Sequence, residues 1–212
     1  MYELFYYPGN ASLAPHFVLE EIGAPFELRL VDRNSNAQKN PDYMRHNPMG
    51  RIPTLVDGDF VLFEYAAICL HLADRHPDSA LAPPFGTKAR AHLYQWLMFL
   101  TNTIQPDFME LYYPERHITD PSGIPAVKAA AESRLDAAYA VVDAALQRGG
   151  PYLLGERLSV ADFFLLMLVA WGGAQRNPPV HLPAIRRCAD HLAARPSVQR
   201  AIAAEGIERL FD

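Results

Sequence analysis

The stretch "YELFYYPGNASLAPH" gathers Tyr6, Tyr7, Asn10 and Ser12 around the point where a strand breaks at Pro8-Gly9 and a helix opens. The first N–H groups of a helix lack intrahelical acceptors and its dipole is positive there, so such a turn binds and stabilises an anion. The plain alternative is that Ser12 or Asn10 only caps the helix. A second polar group, Glu64, stands at the mouth of the next long helix, nine residues after Leu55, the last residue of "NPMGRIPTL". The histidines show no HxxxH or HExxH spacing, and Cys69 and Cys188 lie far apart inside predicted helices. Neither a metal site nor a disulfide framework is expected, in keeping with a reducing compartment, and each cysteine reads as a small buried hydrophobe.

The elements that must position these groups alternate in type over the first third of the chain. Tyr2 to Tyr7 has the composition of a strand, ended by "PGN". From near Ser12, the residues Leu13, Ala14, Phe17, Val18 and Ile22 recur at helical spacing, with Pro15 in the tolerant first turn and Gly23 as the stop. "PFELRL" sets Phe26, Leu28 and Leu30 on one side and Glu27 and Arg29 on the other, the pattern of a strand. This βαβ unit predicts parallel strands joined by a right-handed crossover. Asp32 to Pro48 is polar and aperiodic and reads as a loop with one helical turn. "IPTLVDGDFVLF" predicts a hairpin around Asp57-Gly58, followed by a helix from Tyr65 to Arg75. The order describes a four-stranded α/β domain of thioredoxin-like type over residues 1–77.

His76 to Thr87 contains three prolines and reads as a linker, residues 78–87 in the domain plan. Beyond it no strand is predicted, and residues 88–212 form an all-α helical-bundle domain. Its helices are expected at about 88–112, 126–148, 160–172, 183–194 and 196–204. Leu135, Tyr139, Val142 and Leu146 mark the clearest stripe, which ends at Gly149-Gly150-Pro151. "SVAD", Ser159 to Asp162, has capping-box form with Asp in place of Glu, directly before the apolar run Phe163 to Trp171.

Composition narrows the function. A chain of 212 residues is one large domain or two small ones, and 50% hydrophobic with 11% aromatic residues supplies a core. With 19 Lys and Arg against 24 Asp and Glu the net charge is -5, and no basic run is present, which argues against a nucleic-acid partner. The longest apolar run is about half the ~20 residues of a membrane-spanning helix, so no membrane partner is expected. The amino-terminus shows neither a basic region nor an apolar stretch of signal-peptide type, which predicts a cytoplasmic protein.

Taken jointly, "FYYPGNASLAPH", "NPMGRIPTL" with Glu64, and "LLGERLSVADFFL" resemble the glutathione transferases over essentially the whole chain. The resemblance is strongest to bacterial members of beta-like type, whose amino-terminus reads roughly "FYxPGACSLAPH". It implies the glutathione transferase fold, glutathione as co-substrate without a metal, and a homodimer. It also implies a cis Ile52-Pro53 bond, with the main-chain N–H and C=O of Ile52 pairing with the cysteinyl backbone of glutathione like an added strand. Glu64 would face the γ-glutamyl ammonium, unless it only complements the helix dipole. The next position, a small hydroxyl residue or Gly in the family, is Tyr65, which keeps the main-chain donor for the γ-glutamyl carboxylate but adds bulk. Lys39 and Arg51 would meet the glycine carboxylate or remain solvated side chains.

The departures bear on mechanism. Ala11 fills the slot of the similar bacterial enzymes' cysteine, so no mixed disulfide forms there and cysteine-based thiol transfer is disfavoured. Conjugation then needs a donor to the glutathione sulfur. Each pKa unit of thiol depression takes about 1.4 kcal/mol, and a charge-assisted hydrogen bond supplies ~1.5–3 kcal/mol. Ser12 is the first candidate, Asn10 the second and Tyr6 the third, and strand alternation lets only one of Tyr6 and Tyr7 face the cleft. For the apolar electrophile pocket the candidates are Tyr94, Met98, Phe108, Tyr112 and Tyr113, each of which is alternatively core. A His-Lys pair of the similar enzymes is replaced by Gln105-Pro106. The expected function is attack of bound glutathione thiolate on a small hydrophobic electrophile. Its rivals are a non-catalytic descendant that binds protein or ligand, and a glutathione-dependent reductase or peroxidase, which would require a thiol in the cleft.

Overall fold

The computed structural model describes residues 1–211. By contact they divide into two compact units, Met1–Ala82 with Leu192–Leu210, and Pro83–His191 with Phe211.

In the first unit, β1 (Tyr2–Tyr6) pairs in parallel with β2 (Phe26–Leu30) and antiparallel with β3 (Thr54–Asp57), which in turn pairs with β4 (Phe60–Phe63). The sheet order is β2-β1-β3-β4, with α1 (Leu13–Ile22) as the crossover and α3 (Tyr65–Arg75) after β4. Gly23, at φ +66°, ends α1 in the left-handed conformation that Gly adopts without a Cβ clash. The hairpin loop is Gly58-Asp59, one residue later than the sequence suggests. Gly58 alone has positive φ there, as a type II′ turn requires of its first central residue. Within the polar stretch after β2 lie a 3-10 turn, Ala37–Lys39, and the one-turn helix α2 (Pro41–Met44). Asn40 caps α2 by accepting from Asp42 N–H at 3.0 Å.

β1 divides its side chains between two faces. Leu4 is fully buried with Leu13, Phe17, Leu55, Ile68 and Leu72. On the opposite face Phe5 and Tyr7 pack against Val31, Tyr43 and Ile52.

The second unit holds α4 (Lys88–Phe99), α5 (Gln105–Tyr112), α6 (Ile124–Gly149), α7 (Val160–Trp171) and most of α8 (Pro183–Ala193). Between α4 and α5 runs a π-helical segment, Leu100–Ile104. Pro106 stands two residues past its end and has no N–H for the ordinary ladder, so the irregularity has a local cause. In α7 every residue from Val160 to Val169 is buried, as a helix apolar on all sides requires. No helix among the described residues is long and apolar enough to cross a membrane.

The end of the chain differs from the expected plan. Helix α9 (Pro196–Ala204) belongs to the first unit, although the sequence placed it in an all-helical domain 88–212. Its side chains explain the allegiance: Arg200 meets Glu20 at 2.5 Å, and Arg195 and Ser197 both hold Glu21 on α1.

Candidate active site

The strand register brings three segments to one end of the sheet. Thr54 opposite Phe63 puts Pro53 and Glu64 together at the end of the hairpin, and Phe5 opposite Thr54 brings the chain after β1 to the same end. The turn Tyr6 to Ser12, the Ile52-Pro53 peptide and the start of α3 therefore converge within the first unit.

The turn is closed by Ser12. Its side chain is fully enclosed; the hydroxyl donates to the Tyr7 C=O at 3.2 Å and accepts from the Tyr7 N–H at 3.3 Å. The hydrogen expected for a glutathione sulfur is thus spent on the main chain, and Ser12 holds the turn together instead. Asn10 is placed differently. Its Oδ1 accepts from the Ala11 N–H at 2.8 Å, which fixes the amide's orientation, since an N–H must meet an oxygen. The Nδ2 group faces away, has no partner among the described residues, and belongs to a half-buried residue. Tyr6 is also half-buried, with its hydroxyl unpartnered among the described residues. Tyr7 lies in the Val31–Tyr43–Ile52 cluster under the Arg33 guanidinium, 5.8 Å from its ring centre.

Glu205, just past α9, reaches this turn from the far end of the sequence. Its Oε2 accepts from the Gly9 N–H at 2.9 Å and its Oε1 from His16 Nδ1–H at 2.7 Å, with both side chains fully enclosed. One buried carboxylate thus fixes the Pro8-Gly9 bend and the middle of α1.

The Ile52-Pro53 bond is cis, as the resemblance implies. Among the described residues neither the N–H nor the C=O of Ile52 is used in a hydrogen bond, which leaves an unpaired edge just before the start of β3. Lys39 and Arg51 are exposed, and the Lys39 amine sits on the Met49 carbonyl at 3.0 Å, so both cations flank this loop. Glu64 is exposed at φ +71°, ψ 103°, where a side-chain-bearing residue is strained, and makes no capping bond to α3. Its carboxylate is thus not engaged with the helix it precedes. The Tyr65 side chain is buried in the unit, so its bulk is turned away while its N–H stays in the first turn of α3.

Two family models match, the glutathione S-transferase N-terminal domain over residues 1–74 and the C-terminal domain over residues 125–194. The Escherichia coli O157:H7 glutathione S-transferase GstA is 33% identical over 208 residues, covering 97% of this chain and 100% of that one. The chain belongs to the glutathione S-transferase family. Among solved structures, a glutathione transferase from Methylococcus capsulatus is 36% identical with a TM-score of 0.86, over 98% of this chain and 100% of that one. A Sulfitobacter glutathione transferase homologue with bound glutathione has a TM-score of 0.89 at 28% identity, over 98% and 99% of the two chains.

In this glutathione S-transferase the second unit sorts the electrophile candidates. Phe108 is wholly enclosed, stacked on Tyr112 at 5.8 Å and edge-on to Tyr139 and Trp171, so it is core and lines no pocket. Tyr94, Met98 and Tyr112 are exposed, and the Tyr112 hydroxyl donates to the Trp171 carbonyl. Tyr113 is half-buried beneath the Arg116 guanidinium. Ala11 is buried in the cysteine slot, and burial pushes the thiols of both Cys69 and Cys188 well up, so neither supplies a thiolate. No group of three or more His, Cys, Asp and Glu among the described residues is arranged to hold a metal ion.

Sequence reasoning missed Glu205, Tyr43 and Asn47. Glu205 lies 196 residues from Gly9, beyond any local pattern. Asn47 opens the "NPMGRIP" motif, and its side chain accepts the Met49 N–H at 3.1 Å, an Asx turn that the Asn-Pro dipeptide could have signalled.

Proposed function

We propose that the chain is a glutathione transferase in which the Asn10 amide holds the glutathione sulfur as a thiolate. The observation that carries this reading is the unpaired Nδ2 group of Asn10, fixed in orientation beside the start of α1, at the end of the sheet where Ile52 leaves its main chain unpaired. Glutathione docks by its cysteinyl backbone on Ile52. Glu64 faces its ammonium, the Tyr65 N–H its γ-glutamyl carboxylate, and Lys39 and Arg51 its glycine carboxylate. The thiol proton passes to solvent, the sulfur forms a bond to the electrophilic carbon, and the leaving group departs with its electron pair. In the second unit Tyr94, Met98 and Tyr112 are the exposed apolar candidates for contact with an electrophile. Ala11 and the enclosed thiols weigh against a reductase or peroxidase. The inward-turned Tyr65 removes one argument for a non-catalytic descendant.

Asn10→Ala is expected to lower kcat at least about tenfold, the equivalent of one hydrogen bond to a charged group, with the glutathione Kd within about twofold of wild type. Titration of bound glutathione thiolate should show a higher thiol pKa in the variant. An unchanged kcat would transfer the role to Tyr6.

The reading includes a homodimer. β4 is an edge strand that leaves Phe60 48%, Val61 37% and Phe63 37% exposed, an apolar edge that a lone chain would have to shield. Light scattering should give the mass of a dimer, and Val61→Lys should shift the population toward monomer. A monomeric wild type would overturn this part.

A further inference from the structure

The unpaired edge at Ile52 is only as well placed as the residues on either side of it, and one phenol touches both. Tyr43 Oη on α2 donates to the Arg51 C=O at 2.6 Å and lies 3.0 Å from Thr54 Oγ1. A tyrosine has one hydroxyl hydrogen, here given to Arg51, so the Thr54 hydroxyl is the donor in the second bond. Thr54 and Tyr43 are both buried, and the Tyr43 ring packs edge-on to Phe5 at 5.7 Å, so the phenol has a fixed seat. Burial pushes its pKa up to about 12, which keeps it a donor through the physiological range. Asn47 Nδ2 donates to the same Arg51 carbonyl at 2.8 Å. Asn47 is itself tied down, because its N–H meets the Tyr43 C=O at 3.1 Å and its C=O accepts from Gly50 N–H at 2.8 Å.

We propose that Tyr43 and Asn47 are positioning residues for glutathione: by converging on the Arg51 carbonyl they set the orientation of the Ile52 N–H and C=O that receive the cysteinyl backbone. The inference rests on glutathione binding at Ile52. Neither side chain touches the thiol, so their loss changes affinity and leaves the chemical step alone. Because both act through one acceptor, their effects are coupled. Either bond alone keeps the carbonyl roughly in place, and losing both frees it.

The test is calorimetric binding of glutathione, with steady-state kinetics, on wild type, Tyr43→Phe, Asn47→Ala and the double variant. Each single variant is expected to raise the glutathione Kd and KM about three- to tenfold, with kcat at saturating glutathione within about twofold. The double variant should exceed the product of the single effects. A thermal melt of each variant identifies the folded fraction on which binding is measured. Thr54→Val removes the donor behind the phenol and provides a variant with little perturbation of the ring packing; it should show a smaller rise in the same direction. A wild type that binds glutathione while Tyr43→Phe and Asn47→Ala bind within twofold of it would overturn this inference alone. A fall in kcat at unchanged Kd would also overturn it. A wild type that does not bind glutathione would overturn the proposed function together with it.

Discussion

Asp162→Ala is expected to lower the unfolding free energy by about 4 kcal/mol, because each buried donor left without a partner costs roughly 1–3 kcal/mol. The Asp162 carboxylate is wholly buried, and it accepts from Leu153 N–H, Ser159 N–H and the Ser159 hydroxyl, each at 2.8 Å. The first of these ties the preceding loop to α7, and the other two close the helix start, so alanine leaves two main-chain N–H groups with nothing to replace the oxygens. Urea unfolding checks the value; a loss below about 1 kcal/mol would mean that water or a shifted loop takes over. The pH dependence has an unusual sign. Burial holds the Asp162 pKa up at about 6, against the downward pull of the Leu153 and Ser159 donors. Between about pH 4 and pH 6 the folded chain keeps a proton that the unfolded chain has lost. Stability from this group is therefore greater below pH 4 and falls as pH rises through that window, by about 3 kcal/mol. Asp162→Asn cannot titrate, so its stability relative to wild type should improve by about that amount between pH 4 and pH 7.

Glu64 offers a result in which stability and binding move in opposite directions. Its positive φ costs on the order of 1–3 kcal/mol for a residue with a side chain, and its carboxylate is exposed and uncommitted. Glu64→Gly removes both the strain and the charge, whereas Glu64→Ala removes only the charge. Both variants should weaken glutathione binding about 10- to 100-fold, the worth of a hydrogen bond to a charged group. The glycine variant alone should also melt higher than wild type. Equal affinities in wild type and Glu64→Ala would remove this carboxylate from the site.

Much of the architecture was legible because it rests on local periodicity. The four-three-four stripe from Leu135 to Leu146 and the unbroken apolar run of α7 each report one element's own burial, whereas the alternation in β2 marks the strand but not its burial, since Leu30 is exposed. Partnerships across the chain were not legible. That α9 joins α1 depends on Arg195, Ser197 and Arg200 finding Glu20 and Glu21, and no pattern in either helix announces it. The candidate site divides in the same way. The cis Ile52-Pro53 bond was readable from its motif, but the hydrogen bonds of Ser12 were not: a hydroxyl in the sequence shows a donor without showing where its hydrogen goes. Once the turn closes, the Tyr7 carbonyl lies within reach and takes it, and the Asn10 amide and the Tyr6 hydroxyl are the groups left available. Phe108 misled for a related reason, since one aromatic residue on a helix serves equally as wall or as core until its neighbours Tyr139 and Trp171 are placed.

The long reach of Glu205 sets an order of events during synthesis. The first strand and helix emerge from the ribosome early, yet the bend at Gly9 and the ring of His16 wait for a partner made 196 and 189 residues later. Domains generally condense from the amino-terminus as they appear, but here a nascent chain could form its sheet and still hold an unfinished bend. The bend next to Asn10 is thus completed only once α9 has packed beside α1.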